Sequence, residues 1–346
     1  VISCPCALVI SIPLGYFGGI GAASKNGILF KGSNFLDSIA SIQNVVMDKT
    51  GTMTEGVFKV QEVVISDEFK EDEILNMVNA LEHQSTHPVA TAIHNHVGEI
   101  DTTITLKNVE EIAGHGLKAE INGKELHVGN FKMMDNFNIA YSIDPNSIVY
   151  TLIAIAYDRK FAGYITIADA IKDDAQITID QLKSLGIKTT ILSGDKSNVV
   201  QFVANQLGIT NAFGDLLPED KVSKVNQIKA KNQTVAFVGD GVNDAPVVAL
   251  STVGIAMGGL GSDVTIEITD VIIQDDKPSK IPMAINIGRQ TRKIVWQNIT
   301  LAFVVKGIVL ILGAGGLATM WEAVFADVGV ALLAILNAVR IQKMKF

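Results

Sequence analysis

Four short polar clusters carry the chemistry of this sequence: Asp48-Lys49-Thr50-Gly51-Thr52, Ser193-Gly194-Asp195, Pro218-Glu219-Asp220-Lys221 and Gly239-Asp240-Gly241-Val242-Asn243-Asp244. An aspartate at the end of a strand can attack a phosphoryl group and become an acyl phosphate. Nucleophile and phosphate are both anions, so the charge between them must be neutralised. Mg²⁺ does this when a second carboxylate helps to hold it, and Asp240 is placed to be that carboxylate. Asp244 either holds the water shell of the metal or orients Asp240. Lys221 can bring positive charge to the phosphoryl oxygens, and Ser193 can donate a hydrogen bond to them. Gly194, Gly239 and Gly241 let the backbone approach closely and add amide donors. A single aspartate after a strand is ordinarily a turn or cap residue. Four such elements at successive strand ends point to phosphoryl transfer.

The elements that must position these groups alternate strand and helix. Short apolar runs at Ile42 to Met47, Lys188 to Leu192 and Thr234 to Val238 each end at a polar cluster. Helical patterns cover Asp174 to Ser184, Asn198 to Gln206 and Glu219 to Lys231. Short buried strands alternating with helices predict an α/β doubly wound parallel sheet, with functional groups at the carboxyl ends of its strands. Between about residues 59 and 160 the pattern changes. Val57–Val64, Val109–Ile112, Leu117–Ile121, Leu126–Val128 and Thr151–Ala156 read as antiparallel strands, with helices at Glu71–Glu82 and Val89–Val97 between them. This predicts an α+β domain inserted after the first strand of the sheet.

Hydrophobic residues make up 48% of the 346 residues and charged residues 18%. The apolar excess is concentrated at the two ends, where residues 1–24, 294–316 and 320–340 are long enough for membrane helices. Lys25 and Lys31, then Arg289, Arg292 and Lys293, then Arg340, Lys343 and Lys345 flank the ends that face the middle region. Positive charge stays in the cytoplasm, so the middle region is expected to be cytoplasmic and the 313–322 turn outside. The expected division is therefore a membrane helix at 1–24, a linker and the first part of a phosphorylation domain at 25–58, the insertion at 59–160, the second part at 161–290 and two membrane helices at 291–346. The net charge of −8 argues against a nucleic-acid partner. Two cysteines exclude a disulfide framework. The chain opens on Val1 inside an apolar stretch, and the expectation is a fragment whose N-terminal part is missing.

Cys4-Pro5-Cys6 lies inside the first apolar segment. Proline opens a helix locally, and thiolates bind soft or borderline ions such as Cu(I), Zn²⁺, Cd²⁺ and Pb²⁺. Lys306 and Asp327 stand in the last two apolar segments, where a charge is costly unless it is paired or wet. Asp327 is a candidate ligand for a divalent ion beside Cys4 and Cys6. Lys306 is a candidate counter-charge once the ion has left. The bland alternative is an internal Lys306–Asp327 ion pair with no ligand role.

The D-K-T-G-T, S-G-D, P-E-D-K and G-D-G-V-N-D-A-P stretches resemble the signature set of P-type ATPases, within the haloacid-dehalogenase-like superfamily. The resemblance runs from Cys4 to Arg340. It implies phosphorylation of Asp48 by ATP and Mg²⁺ held by Asp48, the Thr50 carbonyl and Asp240. It also implies that Thr50, Ser193 and Lys221 hold the phosphate, with Lys49, Gly194, Asp195 and Asp244 in the catalytic set. The motif E-x-x-S-x-H-P, formed by Glu82, Ser85, His87 and Pro88, and the loop Gly114-His115-Gly116 resemble the nucleotide-binding domain of the heavy-metal branch. Glu82, His87, Gly114 and Gly116 are the implied ATP contacts. Taken alone, His87 beside proline reads as a helix-start residue, and His83, His94, His96, His115 and His127 read as surface or packing residues.

Cys-Pro-Cys with Lys306 and Asp327 resembles the zinc/cadmium/lead-exporting branch. The implied function is ATP-driven export of Zn²⁺, Cd²⁺, Pb²⁺ or Co²⁺ by an integral protein of the plasma membrane. A Cu(I) exporter, a soluble phosphatase of the same superfamily and a non-catalytic metal-binding membrane protein are the alternatives. Two departures from the family pattern stand out. Ser193 replaces the usual threonine, and Lys172 replaces an arginine, which is expected to weaken a bidentate contact. The earlier membrane helices and the actuator domain with its T-G-E loop are expected to lie outside this stretch.

Overall fold

The computed structural model describes residues 6–85, 87–239, 244–258, 267–317, 319–344 and 346. Cys4, Pro5, Asp240 and Gly241, all singled out in the sequence, lie outside these residues. The chain forms two compact units. One joins residues 1–53 to 172–346, and the other is Thr54–Ile171.

In the first unit β2 (Asn44–Asp48), β9 (Lys188–Leu192) and β11 (Val235–Gly239) are short apolar strands. Strands β2 and β11 are buried throughout, as is β12 (Val253–Met257). Runs of Val, Ile and Met without alternation suit strands covered on both faces. With β1 (Ile28–Phe30), β10 (Asn211–Phe213) and β13 (Val271–Ile273), they make a sheet of order β1-β13-β12-β11-β2-β9-β10. All its pairings are parallel except β1 with β13, so the expected parallel sheet has one antiparallel edge. Strand β2 runs in the middle, with β11 on one side and β9 on the other. Helices α6 (Ala175–Ser184), α7 (Ser197–Leu207), α8 (Pro218–Lys229) and α9 (Ala245–Leu250) connect the strands. Val46, Leu192, Val225, Phe237 and Val247 share one core. Burying a large apolar side chain such as Phe237 stabilises by about 1.5–3 kcal/mol.

Among the described residues, helix α1 (Cys6–Lys25), the helix Lys280–Ala314 and the helix Met320–Val339 with the turn that follows it provide three spans long and apolar enough to cross a membrane. Apolarity alone starts the second of these at residue 294. The structure shows one continuous 35-residue helix from Lys280, with Arg289, Arg292 and Lys293 inside it. Lysine and arginine are good helix formers, so nothing interrupts the helix where polarity changes. An expected domain limit at 290/291 thus falls within one rod. The short helix α2 (Asn34–Ala40) packs on this rod and leads into β2.

The second unit is a six-stranded antiparallel sheet of order β3-β8-β7-β6-β5-β4. Its strands are β3 (Thr54–Ile65), β4 (Lys107–Ile112), β5 (Gly116–Ile121), β6 (Lys124–Gly129), β7 (Thr151–Tyr157) and β8 (Lys160–Ile171). Helices α3 (Glu71–Glu82) and α4 (Pro88–Val97) belong to it. Strand β8 is absent from the sequence reading. It pairs with β3 from Gly163 to Ile171, so the unit begins before residue 59 and runs past 160. Asp169 fastens the start of β3, accepting from Thr54 Oγ1 at 2.5 Å and the Gly56 amide at 3.0 Å.

Candidate active site

Asp48 ends β2 level with Leu192 of β9, so Ser193 follows at the same edge. Met47 is level with Val238 of β11, and Gly239 ends that strand. Three adjacent parallel strands therefore release Asp48, Ser193 and Gly239 at one edge, because neighbouring strands share one register. The loop Lys49–Met53 turns away from β2 through Gly51, whose φ of +71° suits glycine.

Lys221 comes from a different element. Pro218 occupies the first turn of α8, where its missing N–H costs nothing. The Asp220 carboxylate accepts from the Leu217 amide at 3.0 Å and closes the helix start. The Lys221 ammonium then donates to Asp48 Oδ1 and to Asp244 Oδ1, each at 2.8 Å, and all three residues are buried. Burial alone would lower the Lys221 pKa. The Asp48 and Asp244 carboxylates outweigh it, and the net shift is upward. Gly239 is required by this arrangement, since an added Cβ would stand 2.7 Å from Asp244 Oδ2.

A second pair lies alongside, with Lys49 Nζ 2.5 Å from Asp195 Oδ2. Ser193 Oγ accepts from the Asp195 amide at 3.2 Å. Gly194 has only ordinary contact at its Cβ position, with Leu216 O at 3.5 Å. Thr50 is exposed. Thr52 Oγ1 is buried without a hydrogen-bond partner, a feature that its place in the D-K-T-G-T stretch does not signal. Lys172, expected to leave a weakened contact, instead donates to the carbonyls of Gly51 at 2.7 Å and Asp276 at 2.8 Å. The carboxylates and the loop carbonyls offer hard oxygen donors beside an anionic nucleophile. This chemistry fits Mg²⁺, which takes one or two carboxylates and completes its shell with water and phosphate oxygens.

In the second unit, Glu82 is the last residue of α3, and burial pushes its carboxyl up to about 7. His87 caps α4, its Nδ1 accepting from the Val89 amide at 3.3 Å. The Gly114 carbonyl accepts from Asn130 Nδ2 at 2.8 Å, and the Cβ side of Gly114 is open. Gly116 is closed, because a side chain there would run into the Val128 carbonyl of β6. Pairing within the sheet therefore accounts for Gly116, whereas Gly114 leaves room for a ligand. Leu81 and Leu117, which adjoin Glu82 and Gly116, share one core. His127 is buried with neither ring nitrogen partnered, and it packs on Phe137.

In the apolar bundle, Asn298 Nδ2 donates to the Ala334 carbonyl at 3.0 Å, and Ala302 and Val330 share one cluster. Continued along the two antiparallel helices, this register puts Lys306 and Asp327 at one level. Cys6 opens α1, and Cys4 lies outside the described residues.

Residues 42–250 match the model of the haloacid dehalogenase-like hydrolases. The chain belongs to that family. A "Cadmium, zinc and cobalt-transporting ATPase" of Bacillus subtilis (strain 168) is 49% identical over 100% of this chain and 49% of its own length. A "Zinc-transporting ATPase" of Synechocystis sp. is 51% identical over 99% of this chain and 48% of its own length. The chain thus spans about half the length of these curated relatives. A crystal structure of a zinc-transporting PIB-type ATPase in the E2.Pi state superposes with a TM-score of 0.88 at 32% identity, over 99% of this chain and 56% of that one. The expected resemblance to the zinc/cadmium branch of the heavy-metal P-type ATPases is borne out, as is the expected fold.

Proposed function

We propose that this chain carries the phosphorylation and nucleotide-binding machinery of an ATP-driven exporter of Zn²⁺, Cd²⁺ or a related soft divalent ion. The observation that carries this reading is the Asp48–Lys221–Asp244 cluster at the carboxyl edge of the central strand. The Asp48 carboxylate attacks the γ-phosphorus of ATP. The bond to the bridging oxygen breaks, ADP leaves, and Asp48 becomes an acyl phosphate. Lys221 and the Ser193 hydroxyl face the transferred oxygens and offset their charge. Asp195 holds the Lys49 ammonium beside them. Mg²⁺, held by Asp48, the Thr50 carbonyl and Asp240, supplies charge neutralisation and alignment of the phosphate. Asp244 keeps Lys221 charged and aimed. Glu82, His87 and Gly114 take the adenosine part of ATP, with Gly116 setting the loop that carries Gly114.

The transported ion is substrate. Cys4, Cys6 and Asp327 bind it within the bundle, and Lys306, level with Asp327, replaces its charge after release. The three apolar helices and the basic residues at their inner ends support an integral membrane protein with both catalytic units in the cytoplasm. The ions in the relatives' names are zinc, cadmium and cobalt, which supports the divalent reading. Pb²⁺ stays within the same ligand chemistry, and nothing among these relatives supports the Cu(I) alternative.

The test is phosphorylation of the full-length protein by ATP labelled at the γ position. An acid-stable, hydroxylamine-labile phosphoprotein whose formation Zn²⁺ or Cd²⁺ stimulates is expected. Asp48→Asn abolishes it. Labelling that persists in Asp48→Asn overturns the assignment.

A further inference from the structure

Lys172 is the first residue of the first unit after the chain leaves β8. Its amide donates to the Met53 carbonyl at 3.0 Å, at the end of the loop that begins with Asp48. Its ammonium donates to the Gly51 carbonyl at 2.7 Å, one residue past Thr50, and to the Asp276 carbonyl at 2.8 Å. Asp276 lies in the segment that leads into the long helix Lys280–Ala314. That segment is fastened on the same side by the Ser279 amide, which donates to Asp174 Oδ2 at 2.9 Å.

On its other side the segment holds the end of α1. Lys280 Nζ donates to the Asn26 carbonyl at 2.8 Å, and the Gln274 amide donates to the Gly27 carbonyl at 2.9 Å. Asn26 directly follows α1, the helix that begins at Cys6. Hydrogen bonds therefore tie the Gly51 carbonyl through Lys172 to Asp276, the backbone of residues 274–280 carries the link onward, and Lys280 and Gln274 bond it to the end of α1.

We propose that Lys172 is a positioning residue that fixes the catalytic loop against the root of the long helix, and that with Lys280 it ties the state of Asp48 to helix α1. The inference rests on the phosphorylation reading above. An ammonium suits the role because it has three donors that it can direct at separate carbonyls, whereas a planar guanidinium favours one flat partner. The acceptors are backbone carbonyls, so the tie holds the backbone itself rather than a mobile side chain. The loop carbonyls on either side of Gly51 belong to the stretch that must meet the phosphate. Releasing this loop by about 1 Å costs on the order of 10²-fold in rate when reacting groups are misplaced.

The experiment compares the full-length protein with Lys172→Met, Lys172→Arg and Lys280→Met, and uses Asp48→Asn as a control. Nucleotide affinity, phosphoprotein level with and without Zn²⁺, and melting temperature are measured. Lys172→Met is expected to keep nucleotide affinity and melting temperature while losing on the order of 10²-fold in the rate of phosphorylation. Lys172→Arg is expected to restore phosphorylation only in part. Lys280→Met is expected to keep phosphorylation but lose its dependence on Zn²⁺. A Lys172→Met protein with wild-type rate and metal dependence overturns the proposal. So does a loss in Lys172→Met that tracks a matching fall in melting temperature. Persistent labelling in Asp48→Asn would sink the phosphorylation reading instead, so the two failures are distinguishable.

Discussion

Gly288 offers a sharp test of how the sheet is joined to the apolar bundle. It lies in the long helix against α2, the short helix that leads to Asp48. A Cβ at this position would stand 2.6 Å from Ile39 Cγ2, 2.7 Å from the Leu36 carbonyl oxygen and 3.3 Å from the Ala40 amide nitrogen. Two of these are backbone atoms of α2, so a rotamer change cannot clear the contact. The helices must separate by roughly 0.7 Å to restore ordinary packing. Overpacking of this kind costs about 1–3 kcal/mol. Against it, alanine is favoured over glycine inside a helix by about 1 kcal/mol. Gly288→Ala is therefore expected to lower stability by up to about 2 kcal/mol, despite the better helix former. Gly307→Ala in the same helix is the control, because a Cβ there meets nothing within 4 Å among the described residues. Denaturant unfolding of the purified protein in detergent should rank Gly307→Ala above wild type and Gly288→Ala below it. Equal gains from both substitutions would refute the close approach of α2 to the long helix.

Three further outcomes follow from buried titratable groups. Burial raises Glu82 to about 7, so the folded state holds its proton more tightly than the unfolded chain. Stability should therefore fall as pH rises from the ordinary carboxylate range to about 7, by at most about 3 kcal/mol. Glu82→Gln should abolish that slope in nucleotide-free melts, and an unchanged slope would refute the assignment. Lys221 is shifted upward, so its stabilisation is present below the ordinary lysine pKa and lost as pH rises through the raised value. Asp244→Asn should move that alkaline loss of stability to lower pH, which melts recorded across the alkaline range would show. His127 has both ring nitrogens buried without partners, and burial lowers its pKa. His127→Leu should raise stability at neutral pH by about 1 kcal/mol and remove a loss on acidification, and a lower melting temperature would argue against it.

What the sequence made legible is what local chemistry writes into residue types. Helix Glu71–Glu82 and strand Lys188–Leu192 stand where periodicity places them, Asp48 and Ser193 do sit at their strand ends, and the Pro218–Lys221 cluster instead opens a helix. Strand β8 is hidden because Ala162, Gly163 and Ala168 blur its alternation. The start of the long helix escaped because hydropathy marks the bilayer, whereas a helix ends only where its hydrogen bonds do. The contacts of Lys172 were invisible for another reason. Its acceptors are the carbonyls of Gly51 and Asp276, and a backbone carbonyl leaves no signature in a residue name. The necessity of Gly239 likewise appears only once the Asp244 carboxylate is seen beside it.

The charges of the site explain why its parts must act together. Among the described residues, the carboxylates of Asp48, Asp195 and Asp244 face the ammonium groups of Lys49 and Lys221. Among these groups, three negative charges against two positive leave the cluster anionic before any phosphate arrives. A transferring phosphoryl group would meet net repulsion in a partly buried place, where charges are poorly screened. Each lysine is already committed to a carboxylate, so neither alone can reverse the sign. Mg²⁺ held at Asp48 would supply the missing positive charge, and Lys221, kept charged by Asp244, would be the cation that faces the phosphoryl oxygens. The same balance makes Lys221 matter to the resting fold as well as to the chemistry. Without it, Asp48 and Asp244 would be buried anions with one fewer cation between them.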